Sequence, residues 1–496
     1  MDWKKLKSGT DIRGTAIGED ILLTDEAVTG AAKAFYAFVR EKTGKNALRI
    51  TVGHDSRISA ERIKRAVIDA LVSCGAEVLD FGLCSTPAMF MSTIQSTCDA
   101  DGAVMITASH HPYDKNGLKF FLKTGGITGQ ELSHILSLAE QGNFALTKQA
   151  GSVRKVHFLP EYAAILVELV RKRVGLEFPL QGLKVIVDAG NGAGGFFVDS
   201  VLKPLGADTE GSLYLNPDGY FPNHIPNPEN AVAMQHISRA VIESDADFGI
   251  IFDTDVDRAA AVLKGGRELN RNKLIAMMSA IILEEQQGAV IVTDSVTNES
   301  LTSFIESKGG VHHRFKRGYR NVIDEAQRLC AEGKNAALAI ETSGHAAFRE
   351  NYFLDDGAYL IAMLLIELAK GRQRGAELQS LIADFVSPEE EAEIRFAIRC
   401  EDFAGYGRSV IESVADLLAQ KEGWSSVPSH EGIRMHTDLY GGGSFVLRLS
   451  VHDPILPLNI ESNLKGGCAE IAKDILSVIN SFEKLDLQAL KEYLGV

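Results

Sequence analysis

Short runs of Val, Ile and Leu alternate along the chain with longer stretches in which apolar residues recur every three or four positions. The first pattern predicts buried strands and the second amphipathic helices; their alternation predicts βαβ units with parallel or mixed sheets. Residues 48–52, 77–81 and 103–106 read as strands, 59–73 as a helix capped by Ser59, and 130–141 as a helix. The pattern restarts with a helix at 161–174, a strand at 183–187, a helix at 231–243 and a strand at 248–252. It restarts again with a helix at 272–285, strands at 289–292 and 336–340, and a helix at 358–369. After that the order changes to strand 389–400, helix 409–420, strand 443–450 and helix 469–482, which predicts helices on one face of an antiparallel sheet. The predicted fold class is therefore α/β: three similar mixed-sheet domains, 1–155, 156–265 and 266–385, followed by a smaller C-terminal α+β domain, 386–496.

A length of 496 residues suits this division, at about 100–200 residues per domain. The net charge of -15 argues against a nucleic-acid partner, which calls for a basic footprint, but leaves room for a locally basic pocket around an anionic substrate. Cys74, Cys84, Cys98, Cys330, Cys400 and Cys468 are scattered with no CxxC pair, the pattern of thiols in a reducing compartment. The N-terminus lacks the apolar stretch of a signal peptide, and the longest apolar run, 274–283, falls short of the roughly 20 residues that span a bilayer. A cytoplasmic protein with no membrane partner is expected, as a monomer or dimer, although a trimmed organellar form would read the same.

Candidate chemistry lies where predicted strands end, the edge at which α/β folds bind ligands. Ser109 and His110 follow the strand at 103–106, and Lys119 is near enough in sequence to serve the same pocket as a general base. The plainer reading is a strand-ending turn. Asp253, Asp255 and Asp257 leave the strand at 248–252 and are followed by Arg258. Alternate spacing can turn three carboxylates toward one point, and oxygen-only ligands suit Mg²⁺. An EF-hand is excluded because Arg258 stands where its glycine belongs and Lys264 where its glutamate belongs; a solvated acidic turn is the rival. Residues 8–14 place Arg13 between two glycines, suited to an anion or else a flexible terminus. Glu341, Ser343 and His345 follow the strand at 336–340 and offer groups for sugar hydroxyls, or form an ordinary turn. Arg448, Ser450 and His452 combine a cation, a hydroxyl and an imidazole, fit for a phosphate or merely an exposed loop.

These loops, in this order, resemble the α-D-phosphohexomutase superfamily of phosphoglucomutases, phosphomannomutases and phosphoglucosamine mutases. Residues 107–112 (TASHHP) and 253–258 (DTDVDR) carry most of the likeness, supported by 8–14, 53–57, 188–192, 218–222 and 341–345. The resemblance covers nearly the whole chain and implies four domains around a central cleft. Ser109 would be the phosphoserine, and Asp253, Asp255 and Asp257 would hold Mg²⁺ with an oxygen of the Ser109 phosphate. Arg13, His110, Lys119 and Arg258 would line the transfer site, with Lys119 or His110 moving the proton. Glu341, Ser343 and His345 would bind the sugar together with Lys316, Arg317, Gly318 and Tyr319. A hexose 1,6-bisphosphate would serve as intermediate and activator.

The family's distal phosphate loop usually reads Arg-x-Ser-Gly-Thr-Glu-Pro with a later Arg. This chain keeps Arg448, Ser450 and Pro454 but has Val451, His452, Asp453 and Pro457 at the other places. Losing a glycine and a bidentate arginine weakens a phosphate cradle or reshapes it. The basic run 314–320 is expected to take over part of the contact. A mannose/glucose phosphohexomutase is the leading expectation, with phosphoglucosamine mutase as an alternative. A metal phosphohydrolase and a sugar-phosphate-binding homologue with reduced turnover are the other rivals.

Overall fold

The computed structural model describes residues 2–144, 150–450 and 453–496. They form two compact units: the N-terminus to Leu274 with Ser343–Ser380, and Ile275–Thr342 with Leu381–Val496.

The first unit holds two mixed sheets. The larger runs Lys7–Ser8, Asp11–Thr15, Lys115–Leu122, Gly102–Ile106, Arg49–His54, Glu77–Leu83, Ser152–Lys155, with Gly125–Gly126 paired to Lys115–Leu122. Arg49–His54 lies parallel to both its neighbours, whereas Lys115–Leu122 is antiparallel to both of its own in the main order. Helix Ala60–Ser73 supplies the crossover and buries Ile63, Val67 and Leu71 against this sheet's core. Helix Asp25–Thr43 joins the same core through Val28, Phe35 and Val39; it starts at the Thr24 cap and stops at Gly44, where φ is +68°. The second sheet is four-stranded, in the order Arg267–Leu269, Ala259–Leu263, Phe248–Phe252, Val185–Asp188. Helix Ala231–Glu243 covers it with Ala233, Met234, Ile237 and Val241.

In the second unit, Val311–Arg314, Val290–Thr293 and Ala336–Ile340 pair in parallel. The C-terminal sheet is antiparallel and six-stranded: Trp424–Val427, Ile433–Thr437, Gly443–Leu447, Ile455–Ser462, Glu390–Ile398, Leu485–Asp486. Ile394, Phe396 and Ile398 of its longest strand share a core with helices Phe403–Ala419 and Gly467–Ile479.

The α/β class and the C-terminal α+β domain agree with the sequence pattern. Three details differ. The first two sheets have eight and four strands, so their likeness is of architecture and not of size. Ser59 precedes its helix without capping it: it is already in helical conformation, and its hydroxyl accepts from Asn116 Nδ2 at 2.8 Å. Residues 8–14 are neither a loose terminus nor an open loop, because Lys7–Ser8 and Asp11–Thr15 pair as a hairpin whose second strand joins the sheet.

Candidate active site

Strand Gly102–Ile106 is buried throughout and delivers Thr107 and Ser109 to its end. Ser109 has φ +52°, a left-handed conformation that a side chain adopts only where its surroundings enforce it. Arg57 does the enforcing. Its fully buried guanidinium donates through Nη2 to Ser109 O (2.5 Å) and His111 O (2.6 Å). Through Nη1 it donates to Pro112 O (2.7 Å) and Lys115 O (2.8 Å). Asp55 lies 3.3 Å from Arg57 Nε and accepts from Thr107 Oγ1 at 2.6 Å; Thr107 Oγ1 in turn accepts from Ser109 N at 2.8 Å. Burial pushes the Asp55 carboxyl up and the Arg57 guanidinium down, and each is drawn back by the other's charge. Arg57 was not among the sequence candidates. Its segment, 53–57, carries part of the family likeness, but nothing in its composition says that the guanidinium turns inward.

Residues 253–258 form the turn between antiparallel strands Phe248–Phe252 and Ala259–Leu263. Val256 within it has φ +67°, costly for a β-branched side chain. Three outside segments pin the backbone: Thr254 O accepts from Ala193 N (2.8 Å), Asp255 O from Thr86 N (2.9 Å) and Val256 O from Gly357 N (3.0 Å). A Cβ on Gly192 would lie 2.7 Å from Thr254 O, so this close approach needs a glycine. One carboxylate oxygen from each of Asp253, Asp255 and Asp257 then falls within 4.8 Å of the others, all three residues being buried.

Lys119 sits opposite Met105 in the neighbouring strand and pairs with Asp255 (3.1 Å) and Asp257. Arg258 Nε donates to His345 Nε2 at 3.2 Å and lies 4.0 Å from Asp253, while His345 Nε2 is 3.7 Å from Asp257. Burial, then the charges of Asp257 and Asp255, push the Asp253 carboxyl well up. Burial also pushes Asp257 up, but Lys119, His345 and Arg258 outweigh it and hold that carboxyl far down. Asp255 Oδ1 and Asp257 Oδ1 are buried and accept no hydrogen bond among the described residues. Three buried carboxylates drawn together in one turn, two of them with an oxygen that accepts no hydrogen bond, fit a hard divalent cation, so the group suits a metal.

Ser109 Oγ donates to Asp253 Oδ2 at 2.9 Å and stands 3.4 Å from His110 Nδ1. The Arg258 charge, with burial, His111 and Arg13, pushes His110 strongly down, and burial with Arg13 brings His111 to about 4. Arg13 faces Gly117 across its strand pair and holds Asp11 at 2.9 Å. Ser343 Oγ is 2.9 Å from His345 Nδ1, which places both residues beside the acidic turn. Thr86 was not anticipated: its Oγ1 donates to Asp255 Oδ2 at 2.5 Å from the first turn of helix Thr86–Ile94. The run Ser85-Thr86-Pro87 is a helix-start signal that places it.

The remaining candidates belong to the second unit. Glu341 Oε1 accepts from Gly318 N at 2.6 Å, and Thr342 donates to Asp294 from N (2.9 Å) and Oγ1 (2.7 Å). The basic run 314–320 is not one loop. Arg314 ends a strand and pairs with Glu299 (3.2 Å), while Tyr319 and Arg320 open helix Tyr319–Ala331, where Arg320 meets Asp324 (2.8 Å). Lys316, Arg317 and Gly318 lie between the two. Arg448 is buried just after strand Gly443–Leu447, and Ser450 N donates to Ile455 O at 3.0 Å. His452 lies outside the described residues.

Residues 4–145, 161–266 and 270–388 match the models of phosphoglucomutase/phosphomannomutase alpha/beta/alpha domains I, II and III. The chain is 29% identical to a phosphoglucomutase of Neisseria gonorrhoeae, over 95% of this chain and 96% of that one. It is 30% identical to a phosphomannomutase of Salmonella montevideo, over 95% and 98%. A crystal structure of a phosphoglucomutase/phosphomannomutase family protein from Burkholderia thailandensis superposes with a TM-score of 0.80 at 26% identity, over 97% of this chain and 98% of that one. The fold and these matches are those of an α-D-phosphohexomutase, a mutase enzyme. Within that superfamily the chain belongs to the phosphoglucomutase/phosphomannomutase family. No helix among the described residues is long and apolar enough to cross a membrane.

Proposed function

We propose that the protein is a Mg²⁺-dependent phosphohexomutase that interconverts hexose 1-phosphates and hexose 6-phosphates of glucose or mannose. It works on small sugar phosphates in the cytoplasm, with four domains divided near residues 155, 265 and 385. The observation that carries this reading is the 2.9 Å approach of Ser109 Oγ to Asp253, two residues 144 apart in sequence and both fully enclosed.

In this reading Ser109 carries a phosphoryl group and gives it to a sugar hydroxyl. The bond from phosphorus to Oγ breaks as the bond to the sugar oxygen forms, and the hydroxyl proton leaves to a base. Lys119 and His110 are the two groups assigned to the proton: His110 Nδ1 stands 3.4 Å from Ser109 Oγ, and Lys119 lies against the neighbouring Asp255 and Asp257. The hexose 1,6-bisphosphate then turns, and its other phosphoryl group returns to Ser109. Asp253, Asp255 and Asp257 would hold Mg²⁺, which would supply positive charge against the charge that builds up on the phosphoryl oxygens. Arg13 and Arg258 orient the same group. Glu341 and Ser343, with His345 and residues 316–319, are assigned to the sugar, and Arg448 and Ser450 to a phosphate.

Glucose 1-phosphate, mannose 1-phosphate and glucosamine 1-phosphate, each with Mg²⁺ and a bisphosphate activator, are the test, followed by ³¹P NMR. The 6-phosphate is expected from glucose or mannose; conversion of glucosamine 1-phosphate alone would point to the amino sugar. Free phosphate in place of an isomer would make the protein a hydrolase, and no change in any mixture would leave only a binder. Ser109→Ala should abolish turnover with an unchanged circular dichroism spectrum.

A further inference from the structure

Between strands Trp424–Val427 and Ile433–Thr437 a short turn carries Glu431, whose side chain is only 12% exposed. The turn is firmly set. Ser429 Oγ donates to Glu431 O at 2.8 Å, and Gly432 has φ +61° with no room for a Cβ, which would lie 2.1 Å from Leu447 O. Glu431 is thus pressed against the end of the strand that leads into Arg448.

Its carboxylate is gripped from three sides. Oε2 accepts from Ser295 Oγ at 2.5 Å and from Arg317 N at 3.0 Å, and Oε1 lies 3.9 Å from Arg448 Nη1. A hydroxyl, a backbone N–H at a loop and a guanidinium are the donors that proteins use for a phosphate. Arg448 is not fully satisfied by this partner: its Nε is buried and makes no hydrogen bond among the described residues. Burial pushes the Arg448 guanidinium down; Glu431, and also Asp294 and Glu393, draw it back, and the nearby Arg317 charge opposes them. A buried guanidinium with a spare donor, beside a second cation, suits an anion that offers more hydrogen-bond acceptors than one carboxylate.

We propose that Glu431 is a specificity-determining residue: a resident anion that occupies the Ser295, Arg317 and Arg448 donors and must be displaced by the phosphate of an incoming sugar phosphate. The assignment of Arg448 to a phosphate rests on the function proposed above; the competition with Glu431 is new. It accounts for how a divergent loop can keep Arg448 and Ser450 and still bind phosphate selectively. Only a ligand whose charge and geometry outcompete a built-in carboxylate enters. A dianionic sugar phosphate does so better than a carboxylate or a monoanionic diester.

The test is calorimetric titration with glucose 6-phosphate, and separately with inorganic phosphate, on the full chain as wild type, Glu431→Gln, Arg448→Ala and the double variant. Removing the competing charge should tighten binding of both probes by about tenfold, the size expected for one charge-assisted contact. Arg448→Ala should weaken binding, and in its background Glu431→Gln should give much less gain. Glu431→Asp, which keeps the charge but withdraws it by one methylene, should tighten binding by a smaller factor and serves if the Gln variant is unstable. Unchanged or weaker binding by folded Glu431→Gln overturns the inference, as does the absence of phosphate binding by every form. Because the readout is binding, a protein that failed to isomerise sugars but bound them more tightly as Glu431→Gln would sink the mutase reading and leave this one standing.

Discussion

At the scale of single residues, Arg57 shows how much of the geometry at Ser109 comes from a buried group behind it. Four carbonyls of the Ser109 turn point at one guanidinium, and that turn holds Ser109 at a positive φ. Arg57→Ala should lower stability by about 3–5 kcal/mol, the range for stranding one partner of a buried ion pair, here Asp55. Chemical denaturation measures this, and a loss within ±0.5 kcal/mol would deny the clamp. Activity of the folded fraction should fall as well, because the turn loses its anchor. Arg57 could not be singled out from the sequence, since an arginine is ordinarily a surface residue and only tertiary packing turns this one inward. Ser109 and the three aspartates stood out because each segment leaves an apolar strand, but an ordinary turn reads the same way, and their meeting is decided by packing.

Among the elements, the acidic hairpin depends on glycines elsewhere. Gly192→Ala would drive a methyl into Thr254 O, an overpacking that should cost about 1–3 kcal/mol and move the aspartates apart. A shift of the Mg²⁺ activation midpoint to higher concentration, with the wild-type rate at saturation, is the expected sign. An unchanged midpoint would show that the turn does not need the close approach. Helix Tyr319–Ala331 offers a pH test. Arg328, and also His313, hold Glu325 down to about 2 although burial opposes them. A carboxyl lowered on folding adds stability above its unfolded value of about 4.3 and loses it as pH falls toward 2. The stability difference between wild type and Glu325→Gln should therefore be constant near neutrality and shrink below about pH 4.5; a constant difference down to pH 2.5 would refute it. Elements with undisturbed periodicity, such as Ala231–Glu243, Phe248–Phe252 and Ala336–Ile340, match the sequence reading to the residue. Strand Lys115–Leu122 escaped it because Asn116 and Lys119 are buried for their polar partners and break the apolar pattern. Helix Asp25–Thr43 lies outside the predicted elements, although Thr24, Asp25, Glu26 and Gly44 carry its start and stop signals.

For the whole molecule, a bound cation should couple to folding. Mg²⁺ at a hundredfold excess over its dissociation constant stabilises by about 2.7 kcal/mol if it binds only the folded chain. A chelator should lower the melting temperature and abolish turnover, and Mg²⁺ should restore both; Asp255→Asn should remove the shift. A melting temperature indifferent to chelator and metal would contradict the cation site. The fold class was readable because strand and helix periods alternate over hundreds of residues, whereas the sizes of the sheets were not. Which strands pair is decided by contacts remote in sequence, as between Asp11–Thr15 and Lys115–Leu122. The same remoteness governs the acidic turn, whose three backbone anchors come from Thr86, Ala193 and Gly357. Loops that long must close before the carboxylates are aligned, and such contacts form slowly. Metal capture should therefore be among the last events of refolding, so that the rate at which a cation is taken up during renaturation reports the arrival of the native topology and not the collapse that precedes it.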